Sequence, residues 1–204
     1  MNDSSRTVPK HALHTDPKFV HDIKLGKPLD YSSKGLRTLD KLINETPLSV
    51  RVHGVPDRGI NKRFICGAIW LNNNYLTSLQ GLNKSIEELL ELPAYLTWID
   101  ISHNEFKNIG QEFFQFKFLS ILYMHGNQIN DIKEVLKLKS LSNLRTLTLH
   151  GNPISRLTKY RCLVLFYLPQ IKSLDFSLIT RQERSVAPPI LCTRLVTNKV
   201  VVII

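Results

Sequence analysis

Two of the seven histidines recur in the same setting, His125-Gly-Asn127 and His150-Gly-Asn152, and His103-Asn104 is a shorter version of it. Imidazoles ligate zinc and exchange protons near neutral pH. Zinc needs three or four converging ligands, and no carboxylate or cysteine shares the histidines' place in the pattern, so no metal is expected. The three cysteines, Cys66, Cys162 and Cys192, are odd in number and lack C-x-x-C spacing. They suggest neither a disulfide framework nor a zinc site. Nor does the chain contain G-x-G-x-x-G, G-x-x-x-x-G-K-[ST], G-x-S-x-G or H-E-x-x-H. Without these phosphate-cradling, nucleophile and metal motifs, the expectation is no catalytic residue, no cofactor and no enzyme. What remains is binding chemistry, and its strongest carriers are Trp70 and Trp98.

The asparagines show what must position these side chains. Four segments align: CGAIWLNNNYL from Cys66, LTWIDISHNEF from Leu96, LSILYMHGNQI from Leu119 and LRTLTLHGNPI from Leu144. Each fits L-x-x-L-x-L-x-x-N-x-L, the leucine-rich-repeat pattern, with Asn74, Asn104, Asn127 and Asn152 at the asparagine position. The central triplet alternates faces as a strand does, so Ile69, Ile99, Leu122 and Leu147 point inward and their neighbours point out. No repeat buries its apolar edge alone, and stacking joins the edges into one core. The four asparagines are read as a structural ladder whose amides satisfy turn groups that stacking would otherwise leave buried and unpaired. The expected fold class is α/β: a leucine-rich-repeat solenoid, a right-handed horseshoe with a parallel concave sheet and a convex side of mixed helix and turn.

Outward positions then form rows across the concave face. One reads Trp70, Asp100, Tyr123, Thr148 and Asp175; the next reads Ala68, Trp98, Ile121, Thr146 and Ser173. Arg145 and Lys172 share a further outward position at the more basic end. The expected partner-binding residues are therefore Trp70, Trp98, Asp100, Ile121, Tyr123, Arg145, Thr148 and Lys172. The competing possibility is that the N-terminal cap, or residues 47–65, folds over the tryptophans.

Inward positions are 30, 23 and 25 residues apart (71 to 101, 101 to 124, 124 to 149). The longest connection contains Ser85-Ile-Glu-Glu88, a capping-box pattern that predicts a helix start. A short helix is expected over 132–138, and no more than a 3₁₀ turn in GQEFFQFKF. The apolar spacing of Leu36, Leu39, Leu42 and Ile43 predicts an N-terminal cap helix, and residues 158–168 predict a C-terminal one. Ile171-Lys-Ser-Leu174-Asp175-Phe176 repeats the strand pattern once more. These readings divide the chain into a disordered segment 1–27, an N-terminal cap helix and loop 28–65, a repeat domain with its C-terminal cap 66–184, and a tail 185–204.

The net charge is +10, but it is spread: residues 1–65 hold 12 Lys/Arg against 7 Asp/Glu, and the remainder 15 against 10. Two mildly basic parts make no focused patch, so a nucleic-acid partner is not favoured. No run of 18 apolar residues occurs, and neither a membrane span nor a secretory leader is expected. The Asn-Pro-Ile of the last repeat and the ending Tyr160-Arg161…Leu168-Pro169…Leu174-Asp175…Glu183 resemble the phosphatase-regulator-like subclass of leucine-rich repeats. Pro28-Leu-Asp-Tyr-Ser32, Trp70-Leu-Asn-Asn-Asn74, Leu122-Tyr-Met-His-Gly-Asn127 and Leu147-Thr-Leu-His-Gly-Asn-Pro153 are similar to the family of leucine-rich-repeat-containing protein 51. The resemblance covers roughly residues 28–184. It implies a small cytoplasmic repeat protein, monomeric by itself, with a ciliary or axonemal setting by kinship. The function expected is a non-catalytic interaction module that grips a helix or extended segment of a protein on its concave face. An RNA-associated protein of the spliceosomal A-prime type is the alternative.

Overall fold

The computed structural model describes residues 26–186 except Lys41 and Val52. The expectations for residues 1–25, for the apolar C-terminal end and for Cys192 lie outside the described residues. Seven strands form one sheet in chain order: β1 (Leu29–Asp30), β2 (Ala68–Trp70), β3 (Trp98–Asp100), β4 (Ile121–Tyr123), β5 (Thr146–Thr148), β6 (Ser173–Leu174) and β7 (Ser177–Leu178). The first six run parallel and β7 returns antiparallel. Their register stacks Leu29, Ile69, Ile99, Leu122, Leu147 and Leu174 in one row, each fully buried. This row is the seam of a continuous core, which the sixth-position residues Leu71, Ile101, Met124 and Leu149 complete at 0% exposure.

Opposite the sheet lie α1 (Leu82–Leu89), 3₁₀ turns at Pro93–Tyr95, Gln111–Gln115, Ile132–Ser140 and Pro153–Arg156, and then α2 (Tyr160–Tyr167) and α3 (Arg181–Val186). The convex side is thus mixed helix and turn. Residues 132–140 wind as 3₁₀ rather than α, with Asp131 accepting from the Lys133 N–H at the start. α1 begins four residues earlier than its capping-box pattern indicates. Gly81, at φ 84°, precedes it, and Ser85 sits inside the helix with its hydroxyl donating to the Leu39 carbonyl. A neighbouring layer offered Ser85 a buried acceptor, which a cap would not have supplied.

Two further expectations are corrected. Among the described residues of 36–43 no cap helix forms, and a 3₁₀ turn stands at Leu42–Asn44. The Leu36 N–H donates to Asn74 and its carbonyl accepts from Tyr75, so neither is free for a helical bond. Ser33 and Gly35 also have left-handed φ values of 55° and 70°. The leucine spacing there marks a turn-rich layer behind β1, a strand the sequence pattern did not reveal. At the other end the strand pattern stops at Leu174. Asp175 and Phe176 have φ of 52° and 63° and form a two-residue reversal into β7, the geometry of a type I′ hairpin turn.

The C-terminal end is pinned by side chains rather than by another repeat. Arg161 donates to Glu183 Oε1 at 2.6 Å and to the carbonyls of Leu174 and Leu178 at 3.1 and 3.3 Å. Glu183 also accepts from the Thr180 N–H while the Glu183 N–H donates to Thr180 Oγ1, a reciprocal cap at the start of α3. These bonds, led by the one from Arg161, pull the Glu183 carboxyl down to about 2. Arg184 donates to the carbonyls of Leu165 and Ile171.

Candidate functional site: the concave face

Each ladder asparagine joins its own repeat to the one before. Asn127 accepts from the Phe106 N–H at 3.1 Å and donates to the carbonyls of Ile101 and Met124 at 3.0 and 2.9 Å. Asn104 likewise accepts from Leu76 and donates to Leu71 and Ile101, and Asn152 accepts from Ile129 and donates to Met124 and Leu149. Asn74 reaches the first layer, accepting from Lys34 and Leu36 and donating to Tyr31. All four are nearly buried. Their amide geometry is spent entirely on turn backbone and leaves nothing for a ligand.

On the open face, the register aligns Asp30, Trp70, Asp100, Tyr123 and Thr148 in one row and Ala68, Trp98, Ile121, Thr146 and Ser173 in the next. The two rows bring the tryptophans edge to face, with ring centroids 5.4 Å apart, and Trp98 meets Tyr123 at 5.6 Å. Both indoles are half-buried, and their N–H groups are buried without an acceptor among the described residues. Residues 47–65 reach this face at its N-terminal end: Arg51 lies 5.1 Å above the Trp70 ring and donates to the Ser32 hydroxyl, and the Leu48 N–H donates to the Asp30 carbonyl.

Phe176 extends the aromatic row, and sequence reasoning missed it by assigning it an inward position. The residue is 59% exposed, and its ring stands 5.3 Å from Tyr123 and 5.6 Å from both His125 and His150. The signal available was Asp-Phe after a strand without the ladder asparagine, a place where a reversal can turn an aromatic back over the sheet.

Not every expected contact residue is available. Thr148 is fully buried, with its Oγ1 2.8 Å from His125 Nδ1. Arg145 donates to the Ser142, Leu144 and Gln170 carbonyls, so its guanidinium braces the turn beneath the sheet. Lys172 is exposed, while Ile121 and Tyr123 are half-buried beside Trp98. Asp175 leaves the row altogether. Its Oδ1 accepts from the Leu149 and His150 N–H groups, and its Oδ2 accepts from the Tyr160 hydroxyl at 3.0 Å. A carboxylate thus stands in for the carbonyls that a longer β6 would have presented.

The histidines stack. His103 meets His125 at 5.0 Å, and His125 lies parallel to His150 at 4.6 Å. The glycines after His125 and His150 have left-handed φ of 68° and 72°. A Cβ on Gly126 would lie 2.6 Å from His103 Nδ1, so the H-G-N spelling reflects a ring packed on bare backbone. Burial, reinforced by repulsion from His150 and His103, lowers the His125 pKa to about 4. Among the described residues no three His, Cys, Asp or Glu side chains are arranged to hold a metal. Asp100 moves the other way: burial raises its pKa, against the Ser102 N–H and hydroxyl that donate to it at 2.9 and 2.6 Å.

A leucine-rich repeat family model matches residues 83–198. The bovine (Bos taurus) leucine-rich repeat-containing protein 51 is 42% identical over 161 residues, covering 78% of this chain and 82% of that protein. The chain belongs to the leucine-rich repeat-containing protein 51 family. Its human (Homo sapiens) member is 41% identical over the same shares. Leucine-rich repeat-containing protein 23 from Homo sapiens is more distant, 32% identical over 53% of this chain and 31% of that one. Among solved structures, the Drosophila melanogaster SNF/U2A′ complex contains a chain of the same fold, at TM-score 0.62 and 17% identity, covering 90% of this chain and 97% of that chain. The match to the 51 family, over 161 residues, is longer than the stretch 83–198 that the repeat model covers.

Proposed function

We propose that the protein is a non-catalytic adaptor that holds a helix or extended segment of a partner protein against its concave face. The observation that carries this reading is the ribbon Trp70–Trp98–Tyr123–Phe176, with successive ring centroids between 5.3 and 5.6 Å apart and left partly open to solvent. Tryptophan and tyrosine are the residues whose burial dominates most interfaces, and a contiguous, partly exposed aromatic strip on a rigid sheet is a costly surface without a partner. U2A′, which shares the fold, is itself found in a complex with SNF. A ciliary or axonemal site of action, in the cytoplasm, is part of the proposal through kinship, as is a monomeric state before binding. An RNA partner is less well supported, since Asp100 sits among the rings where a phosphate backbone would come close.

Affinity capture from ciliated and non-ciliated cells, using wild type and Trp98→Ala, tests the reading. The variant should fold normally and lose its specific partners, with a weakening of about 2 kcal/mol or more. Capture of the same partners by both forms would sink the concave site.

A further inference from the structure

Resting on the reading of the concave face as a partner surface, we propose that Asp100 and the rings around it form a subsite for an arginine side chain supplied by the partner. Strand register places Asp100 between Trp70 and Tyr123 in one outward row, and Trp98 precedes it by two residues on the same face. Three aromatic rings in edge-to-face contact therefore border one carboxylate. Aromatic faces attract cations, and a guanidinium fits this setting better than an ammonium because its plane stacks on rings while its fork bonds a carboxylate.

Among the described residues the carboxylate has no cation within ion-pair distance. Its only hydrogen bonds within the described residues come from Ser102, both to Oδ1. Arg51 and His103 act on it only from farther away. A half-buried carboxylate without a counter-ion is unfavourable in the free protein, and an incoming guanidinium would remove that penalty. The protein's own Arg51 already rests 5.1 Å over the outer ring, Trp70, so the ribbon accepts such a group at its margin. A basic chain with an acidic centre in its aromatic strip selects for positive charge there despite its overall sign.

The chain contains two tryptophans, so its indole N–H resonances report on the site directly. They are assigned in the full-length protein with Trp70→Phe and Trp98→Phe, then followed by two-dimensional NMR during titration with N-acetyl-arginine methylamide. The citrulline analogue, neutral and of the same shape, and the lysine analogue serve as comparisons. The arginine probe should shift the indole resonances to saturation, and both analogues should bind more weakly. Asp100→Asn, checked for fold by circular dichroism, should weaken the arginine probe by about tenfold or more. Equal binding of the citrulline or lysine analogue, or an unchanged affinity in Asp100→Asn, would overturn the subsite. Partner capture separates this failure from that of the underlying reading. Partners lost by Trp98→Ala but kept by Asp100→Asn remove only the arginine subsite, whereas partners kept by Trp98→Ala remove the concave face itself.

Discussion

Asn127→Ala tests how the solenoid holds its layers together. The side chain makes three close bonds: it accepts from the Phe106 N–H and donates to the carbonyls of Ile101 and Met124. The carbonyls are shared, since Ile101 also accepts from Asn104 and Met124 also accepts from Asn152. After truncation each carbonyl keeps a donor, and the group stranded is the Phe106 N–H, on a residue only 1% exposed. One orphaned buried donor costs about 1–3 kcal/mol, and the two lost carbonyl bonds add about 0.5–1.5 kcal/mol each. The expected loss is roughly 2–6 kcal/mol, read from the urea midpoint by far-UV circular dichroism. Asn127→Asp sharpens the test. It keeps an acceptor for Phe106 but sets a carboxylate against two carbonyls, so at neutral pH it should be at least as unstable as the alanine variant. Its stability should recover on acidification, because a protonated carboxyl can donate. A loss below about 0.5 kcal/mol for the alanine variant, or an aspartate variant as stable as wild type at neutral pH, would refute the shared-carbonyl ladder.

Three other perturbations probe the ends of the fold and the histidine stack. Asp175→Ala strands the Leu149 N–H and the nearly buried Tyr160 hydroxyl, and should cost about 1–3 kcal/mol in urea denaturation, with Asp175→Asn recovering part of it. The His125 pKa of about 4 lies below the ordinary 6.5, so the unfolded chain takes up the proton first. That contribution to stability should be complete above pH 6.5 and decline as the pH falls toward 4, a slope that His125→Asn should flatten in pH-dependent thermal melts. Glu183, held at about 2 against an ordinary 4.5, contributes stability that is present above pH 4.5 and lost as the pH falls toward 2. Glu183→Gln should remove that lower-pH slope while leaving the histidine window unchanged.

The repeat was legible because it is periodic. Ile69, Ile99, Leu122 and Leu147 occupy equivalent places in four segments, and the register that pairs them follows from stacking like on like. The concave neighbours of Trp98 were legible for the same reason, since alternation along three-residue strands fixes which side chains share a face. What was not legible lies where the period lapses. Leu36, Leu39 and Leu42 have helical spacing, yet the local preference lost to Asn74 and Tyr75, which take the Leu36 backbone groups from 38 and 39 residues away. Thr148 occupies an outward position but is covered, because its hydroxyl turns to His125 and the neighbouring reversal brings Phe176 over the same histidine. Arg145 looked like a free cation, and only the fold reveals the carbonyls around it.

The C-terminal reversal shows why cap and binding face cannot be treated as separate parts. A solenoid must end on something other than another repeat, and here the Asp175 side chain supplies acceptors where β6 breaks off after Leu174. To do so it takes a left-handed backbone, and the next residue, Phe176, takes one too. That pair of dihedrals reverses the chain, and the reversal lifts Phe176 out of the core row and lays its ring against Tyr123, His125 and His150. An inward Phe176 would have continued the core seam and left the Leu149 and His150 N–H groups without the carboxylate. The same turn that closes the fold therefore lengthens its aromatic strip, and the strip's last ring is a consequence of how the core is sealed.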